Sequence, residues 1–153
     1  MECINVQDIK NPVVNNRGLF INDEKKYVIL RNVHIKFTGD NSRFEKNSNK
    51  IRQYVKATSD DINILNDISN QLNCDNKCIN DDLITIYIND QTTVYDSNRN
   101  KLKYKLRDLI DCDVDMVVHM YTITNSFGKY ERIAAKQIKI VKKNFNLLDN
   151  CCL

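Results

Sequence analysis

The chain has 153 residues, 42% of them hydrophobic, with a formal net charge of +3 and six cysteines. That length fits one domain able to bury a core unaided, and the hydrophobic share excludes wholesale disorder. No apolar run approaches the roughly 18 to 20 residues that a membrane-spanning helix needs, and the start, MECINVQDIKNP, lacks the basic-then-apolar order of a secretory leader.

In chain order, residues 1–18 read as a polar N-terminal arm, 19–143 as one folded domain and 144–153 as a tail. KYVILRNVHIKF alternates as a strand, with Tyr27, Ile29, Arg31, Val33, Ile35 and Phe37 on one face. Arg31 in that apolar series implies a strand open on that side, or a bulge that shifts its register. DNSRFEKNSNK is a polar, basic loop carrying Phe44, and IRQYVKATS is a second strand. SDDINILNDISNQL predicts a helix: Ser59 as N-cap, Asp60 and Asp61 in the first turn, and Ile62, Leu65, Ile68 and Leu72 at helical spacing.

The linker NCDNKCINDD leads into LITIYI, a strand rich in β-branched residues. TTVYDSNRNKLKYKL reads as strand, turn and short strand. Last comes a long hairpin, VDMVVHMYTIT and ERIAAKQIKIVKK, joined by the tip NSFGKY. Val114, Met116, Val118 and Met120 line one face; Val117, His119, Tyr121 and Ile123 line the other. Ile133 has the opposite parity to Ile138 and Ile140, which predicts a bulge near Ala135 to Gln137. Six or seven strands with one helix predict a mainly β fold, an OB-fold-like small barrel of about five to seven strands.

Charge is unevenly spread. Residues 1–56 carry 11 Lys/Arg against 6 Asp/Glu, residues 57–98 carry 1 against 8, and residues 99–153 carry 11 against 6. The two ends are therefore expected to supply a basic face and the middle an acidic one. The cysteines, Cys3, Cys74, Cys78, Cys112, Cys151 and Cys152, are read as thiols of an intracellular, reducing compartment.

Little of this resembles catalysis. The three glycines, Gly18, Gly39 and Gly128, are too far apart for a phosphate loop, and both histidines, His34 and His119, fall inside strands. Cys74 and Cys78 have a spacing suited to two zinc ligands, but a second pair would have to come from the adjacent Cys151 and Cys152 or from the histidines. A metal-dependent nuclease built on Asp113, Asp115 and Glu131 is an alternative, because such enzymes need convergent carboxylates. The expectation is a protein without catalytic residues, metal or other cofactor.

Four clusters interleave cations with rings: Arg43-Phe44-Glu45-Lys46, Arg52-Gln53-Tyr54-Val55-Lys56, Lys101-Leu102-Lys103-Tyr104-Lys105, and Phe127-Gly128-Lys129-Tyr130-Glu131-Arg132. Single-stranded nucleic acid calls for this combination. Lysine and arginine neutralise phosphates, and exposed rings stack on bases at about 1–3 kcal/mol each, whatever the base. In the third cluster the lysines share one face, and Tyr104 shares the other with Leu102 and Leu106.

The order of these elements resembles that of the OB-fold single-stranded DNA-binding proteins of phages and large DNA viruses, over roughly residues 19–143. The resemblance implies a viral protein that coats unwound DNA in replication or recombination, without sequence preference. It would place Arg31, Arg43, Phe44, Arg52 and Tyr54 along a groove, with Lys103, Phe127, Lys129, Tyr130 and Arg132 opposite. Single-stranded DNA is the expected partner, with RNA as an alternative, and no membrane is expected. Many such proteins end in a strongly acidic tail, whereas NFNLLDNCCL has one acid, Asp149. That departure suggests self-association through the tail. The competing expectation is a protein-interaction or host-modulating module without nucleic-acid binding, favoured by the acidic middle segment and the apolar tail.

Overall fold

The structure is a computed structural model and describes residues 1–40 and 52–144. Three short strands, β1 (Cys3–Asn5), β2 (Val13–Asn15) and β3 (Gly18–Ile21), precede the long β4 (Glu24–Asp40). After β5 (Gln53–Ser59) come the helix α1 (Ile62–Gln71), β6 (Ile79–Asn80), β7 (Leu83–Ile88), β8 (Thr93–Tyr95) and β9 (Lys101–Leu102). The long hairpin follows as β10 (Cys112–Asn125) and β11 (Gly128–Lys143).

Five strands close on themselves. β4 pairs with β5, β5 with β7, β7 with β11, β11 with β10, and β10 returns to β4. All these pairings are antiparallel except that of β7 and β11, a parallel contact at Tyr87 and Ala134. Closure removes the free edges that an open sheet would expose. The mainly β, single-helix, OB-fold-like barrel expected from the sequence is the fold observed. The remaining strands lie on this ring as short additions.

Strand alternation decides what fills the barrel. Val55 and Ala57 of β5, Ile84 and Ile86 of β7, Met116, Val118 and Met120 of β10, and Ile133 and Ile138 of β11 all point inward and are buried. Leu65 and Ile68 of α1 join the same core. The helix occupies the connection between the second and third ring strands. The third-to-fourth connection holds β8, β9 and a tight 3-10 turn, Leu106–Leu109.

Bulges settle the ambiguities of parity. In β4 the buried residues are Val28 and Leu30, then Val33 and Ile35, so the expected single face of Tyr27, Ile29, Arg31 and Val33 is corrected. The switch falls at Arg31 and Asn32, where Leu30 pairs with Met116 but Val33 with Val114; Asn32 adopts φ 54°. A second irregularity, at Lys36, turns Phe37 outward to 56% exposure. In the long hairpin Val117 pairs with Gln137 and Val118 with Ala135, leaving Lys136 as the extra residue where a bulge was predicted.

The helix begins later than its sequence signal. Ser59 is the last residue of β5, paired with Val33, so its backbone belongs to the sheet and cannot cap. Its hydroxyl instead accepts the Asp61 N–H at 3.2 Å, and Asp61 occupies the cap position. Asp60 and Asp61 thus precede the first turn.

Residues 3–21, largely the stretch read as an arm, pack on the barrel. β1 runs parallel to β4, and Val6, Val14 and Leu19 enter the core. His119 fastens the β2–β3 turn: its Nε2 lies 3.0 Å from the Arg17 carbonyl, and its ring stacks on Tyr121 at 4.7 Å. Burial holds the His119 pKa below the ordinary histidine range, and Lys25 and Lys136 add repulsion. A lowered folded pKa means that the unfolded chain takes up the proton first. Stability from this residue is therefore full above the unfolded value of about 6.5 and falls as the pH drops below it. Thermal melts from pH 7.5 to 5 are expected to show that decline, and His119→Phe, which cannot ionise, to flatten it. An unchanged slope in the variant would refute the assignment.

Most of the left-handed corners are built without glycine. Among the described residues, nine non-glycine positions have positive φ, and eight of them are Asn or Asp; Gly18 and Gly128 are the two positive-φ glycines. Asn22-Asp23, between β3 and β4, and Asp81-Asp82, between β6 and β7, are two-residue hairpin turns with both φ values positive. The abundant Asn and Asp thus serve where a short polar side chain tolerates the left-handed region.

Candidate nucleic-acid interface

Outward residues of β5, β7 and β11 form one face. Tyr54 and Tyr87 are register partners across β5 and β7, and their rings meet edge to face with centroids 6.4 Å apart. Gly39 of β4 pairs with Tyr54, and a Cβ there would lie 2.7 Å from the Tyr54 hydroxyl oxygen. The missing side chain gives the ring room to lie over the strand. Arg132 of β11 holds its guanidinium 5.1 Å from the Tyr87 centroid and 5.7 Å from that of Tyr130. Lys56 flanks the other end, 6.0 Å from the Tyr54 centroid. The Tyr54–Tyr87 ring pair is therefore flanked by a cation on each side at cation–π distance, and Arg132 is shared with Tyr130.

Beside this row lies a cleft of about 480 Å³ whose lining includes Arg52, Tyr87, Asn89, Tyr121, Ile123 and Arg132. Its place, on the second and third ring strands, is one where OB-folds hold oligonucleotides. Arg43 and Phe44 fall in residues 41–51, outside the described residues. At the hairpin tip Phe127 is 86% exposed and donates its backbone N–H to Asn125 Oδ1 at 2.8 Å. Partial burial pushes the Tyr87 phenol above its ordinary pKa, so it stays neutral at physiological pH.

Of the residues expected along one groove, Arg52, Tyr54, Tyr130 and Arg132 gather here. Lys129 does not face it as expected. Its ammonium donates to the Leu72 carbonyl at 2.9 Å and its backbone N–H to Asp75 Oδ2 at 2.8 Å, tying the hairpin to the end of the helix. Arg31 is elsewhere, 3.6 Å from Asp115 in a separate cleft lined also by Tyr95, Arg99 and Lys139. Lys103 is exposed just beyond β9, and β8, which carries β9, pairs with Gln137–Lys139 of β11. That register is on the order of 15 Å along the strand from Arg132. The single groove through all these cations is thus corrected to a shorter row.

Two members lie outside the four clusters of cations and rings. Tyr87 belongs to the strand LITIYI, where its parity opposes that of the buried Ile84, Ile86 and Ile88. Tyr121 shares a face of β10 with Val117, His119 and Ile123 and has no lysine or arginine beside it in sequence.

The nuclease triad does not assemble. Glu131 is fully buried, accepting the Ser69 hydroxyl and the Cys78 N–H. Asp113 binds His34 Nδ1 at 2.7 Å, which holds its carboxyl below the usual range, and Asp115 faces Arg31. Glu131 pairs with Thr122 and Asp115 with Lys139, so roughly 20 Å of strand separates the acids, against the about 4 Å that paired metals need. Burial pushes the Cys78 thiol up to about 12 and raises those of Cys74 and Cys112. Thiols so disposed are poor nucleophiles. Among the described residues, no group of three or more His, Cys, Asp or Glu side chains is placed to hold a metal ion. Also among them, no helix is long and apolar enough to cross a membrane.

No protein-family description and no curated protein sequence matches the chain. Solved structures do. The single-stranded DNA-binding protein from bacteriophage Enc34, in complex with ssDNA, aligns with a TM-score of 0.60 at 14% identity, covering 92% of this chain and 95% of that one. A second structure of the same phage protein gives 0.59 at 13% identity, covering 90% and 93%. Its C-terminal truncation gives 0.58 at 11%, covering 90% and 98%. At such identity the likeness is one of fold. Over most of its length the chain has the OB-fold-like architecture of these phage proteins, as the order of its elements implied.

Proposed function

We propose that this protein binds single-stranded DNA without sequence preference and coats unwound DNA during replication or recombination inside an infected cell. The observation that carries the reading is the row Lys56–Tyr54–Tyr87–Arg132–Tyr130 on the outer face of β5, β7 and β11. Rings offer every base a stacking surface, and the interleaved cations meet the phosphates between bases. The role is passive: the protein occludes the strand and leaves its bonds intact. The solved neighbour described in complex with ssDNA supports this reading at the level of the fold.

Fluorescence anisotropy with labelled oligo-dT, the matching duplex and an RNA of equal length, each across a salt series, tests it. Arg52, Lys56 and Arg132 supply about three phosphate contacts, so a slope of log K on log salt of about −2 is expected for single-stranded DNA. Duplex binding is expected to be weaker at every salt concentration. Binding that ignores salt, or prefers duplex, would overturn the proposal.

A further inference from the structure

The row of rings does not stop at Arg132. Across the β10–β11 register, Tyr121 faces Arg132 and Ile123 faces Tyr130. Both also line a second cleft, of about 530 Å³, closed on its far side by Val14, Asn15 and Asn16 at the β2–β3 turn. The two clefts share Tyr121 and Ile123 and so adjoin one another.

We infer that the single strand crosses the outer face of the β10–β11 hairpin and enters this second cleft, so that the β2–β3 turn forms the far bank of the binding site. The inference rests on the reading proposed above and extends it from one barrel face to the N-terminal hairpin.

Chemistry favours an anionic, base-bearing occupant. The second cleft has no carboxylate in its lining; it offers amides and hydroxyls from Asn15, Asn16, Thr122 and Thr124, the ring of Tyr121, and Lys129. An ammonium has three protons to donate, and the Lys129 bond to Leu72 uses one. Arg17 is exposed at the turn, and Lys25 lies 5.2 Å from the centroid of Tyr27. The first cleft carries one carboxylate, Asp90, beside Arg52 and Arg132, whereas one beside the helix is lined by Asp81 and Asp82 with no cation.

The bank is also held in place. His119 stacks on Tyr121 while its Nε2 meets the Arg17 carbonyl, and a Cβ on Gly18 would come within 3.0 Å of that nitrogen. Gly18, at φ 145°, permits this close approach. The turn and the Tyr121 ring are thereby fixed relative to each other before any strand arrives, which lowers the ordering cost of binding.

Two oligonucleotide lengths test the inference, chosen within the range of about 4 to 16 nucleotides that an OB-fold covers. Labelled dT6 and dT15 are titrated at low salt against the wild type, a variant carrying Asn16→Asp with Arg17→Glu, and Tyr87→Leu. Asn16 and Arg17 are exposed, so the barrel is expected to stay folded, which a thermal melt checks. If the charge-reversed variant does not fold, Arg17→Ala replaces it. The bank variant is expected to weaken dT15 binding about tenfold and to leave dT6 within about twofold, whereas Tyr87→Leu weakens both. Equal loss for both lengths, or none for dT15, overturns the extended path while the first face stands. Failure of the wild type to bind either length overturns the proposed function itself.

Discussion

Tyr87→Leu is expected to weaken oligo-dT binding by roughly 5- to 100-fold, with the melting temperature nearly unchanged. Base stacking on one ring is worth about 1–3 kcal/mol, and each 1.4 kcal/mol is a tenfold change. Tyr87 is chosen because it is central. It meets the Tyr54 ring on one side and the Arg132 guanidinium on the other, so its loss also leaves Arg132 less well aimed. Leucine keeps apolar bulk on the outer face of β7, and the core beneath, Ile84, Ile86 and Ile88, is untouched. Tyr87→Phe, which keeps the ring and drops only the hydroxyl, is expected to bind as the wild type does. A leucine variant that binds as tightly as the parent in an anisotropy titration would remove the stacking row from the mechanism.

The second large effect concerns stability. Glu131→Ala is expected to cost about 2–5 kcal/mol, read from the urea midpoint at constant slope. The Glu131 carboxylate, fully buried, accepts from the Ser69 hydroxyl of α1 and from the Cys78 N–H, and its own N–H donates to the Asn76 carbonyl. Removing the carboxylate orphans two buried donors, each at about 1–3 kcal/mol. Glu131→Gln keeps an acceptor oxygen and is expected to lose less. Under conditions where the alanine variant remains folded, its affinity for oligo-dT is expected to stay within a few fold of the parent. A folded variant of unchanged midpoint would show that this residue does not hold the helix to the barrel.

The barrel was legible because its strands obey simple alternation. Met116, Val118 and Met120 announced the inner face of β10, and the parity of Ile133 announced the bulge at Lys136. Alternation failed at β4, because an αL residue, Asn32, reverses the faces midway and Arg31 marks the reversal only ambiguously. The helix starts later than its sequence signal because Ser59 suits both a strand end and a cap, and sheet pairing with Val33 prevails over capping. At the site, Arg52, Tyr54, Tyr130 and Arg132 were visible as cations next to rings. Tyr87 was hidden because its strand carries no charge, and the ring is supplied with its cation from β11, 45 residues along the chain. Lys129 shows the converse. Its neighbours in sequence place it with Tyr130 and Arg132, yet its ammonium donates to the carbonyl of Leu72 and the residue borders the second cleft, off the first row.

The left-handed corners have a bearing on divergence. A bend that needs glycine admits one letter, whereas Asn22, Asp23, Asn32, Asn73, Asp81 and Asp82 show that this backbone bends at short polar residues. Such positions constrain a chain by conformational tolerance and not by identity. With three glycines in 153 residues, the chain takes most of its left-handed bends on Asn and Asp and still follows the barrel path of structures with which it shares 11–14% of its residues.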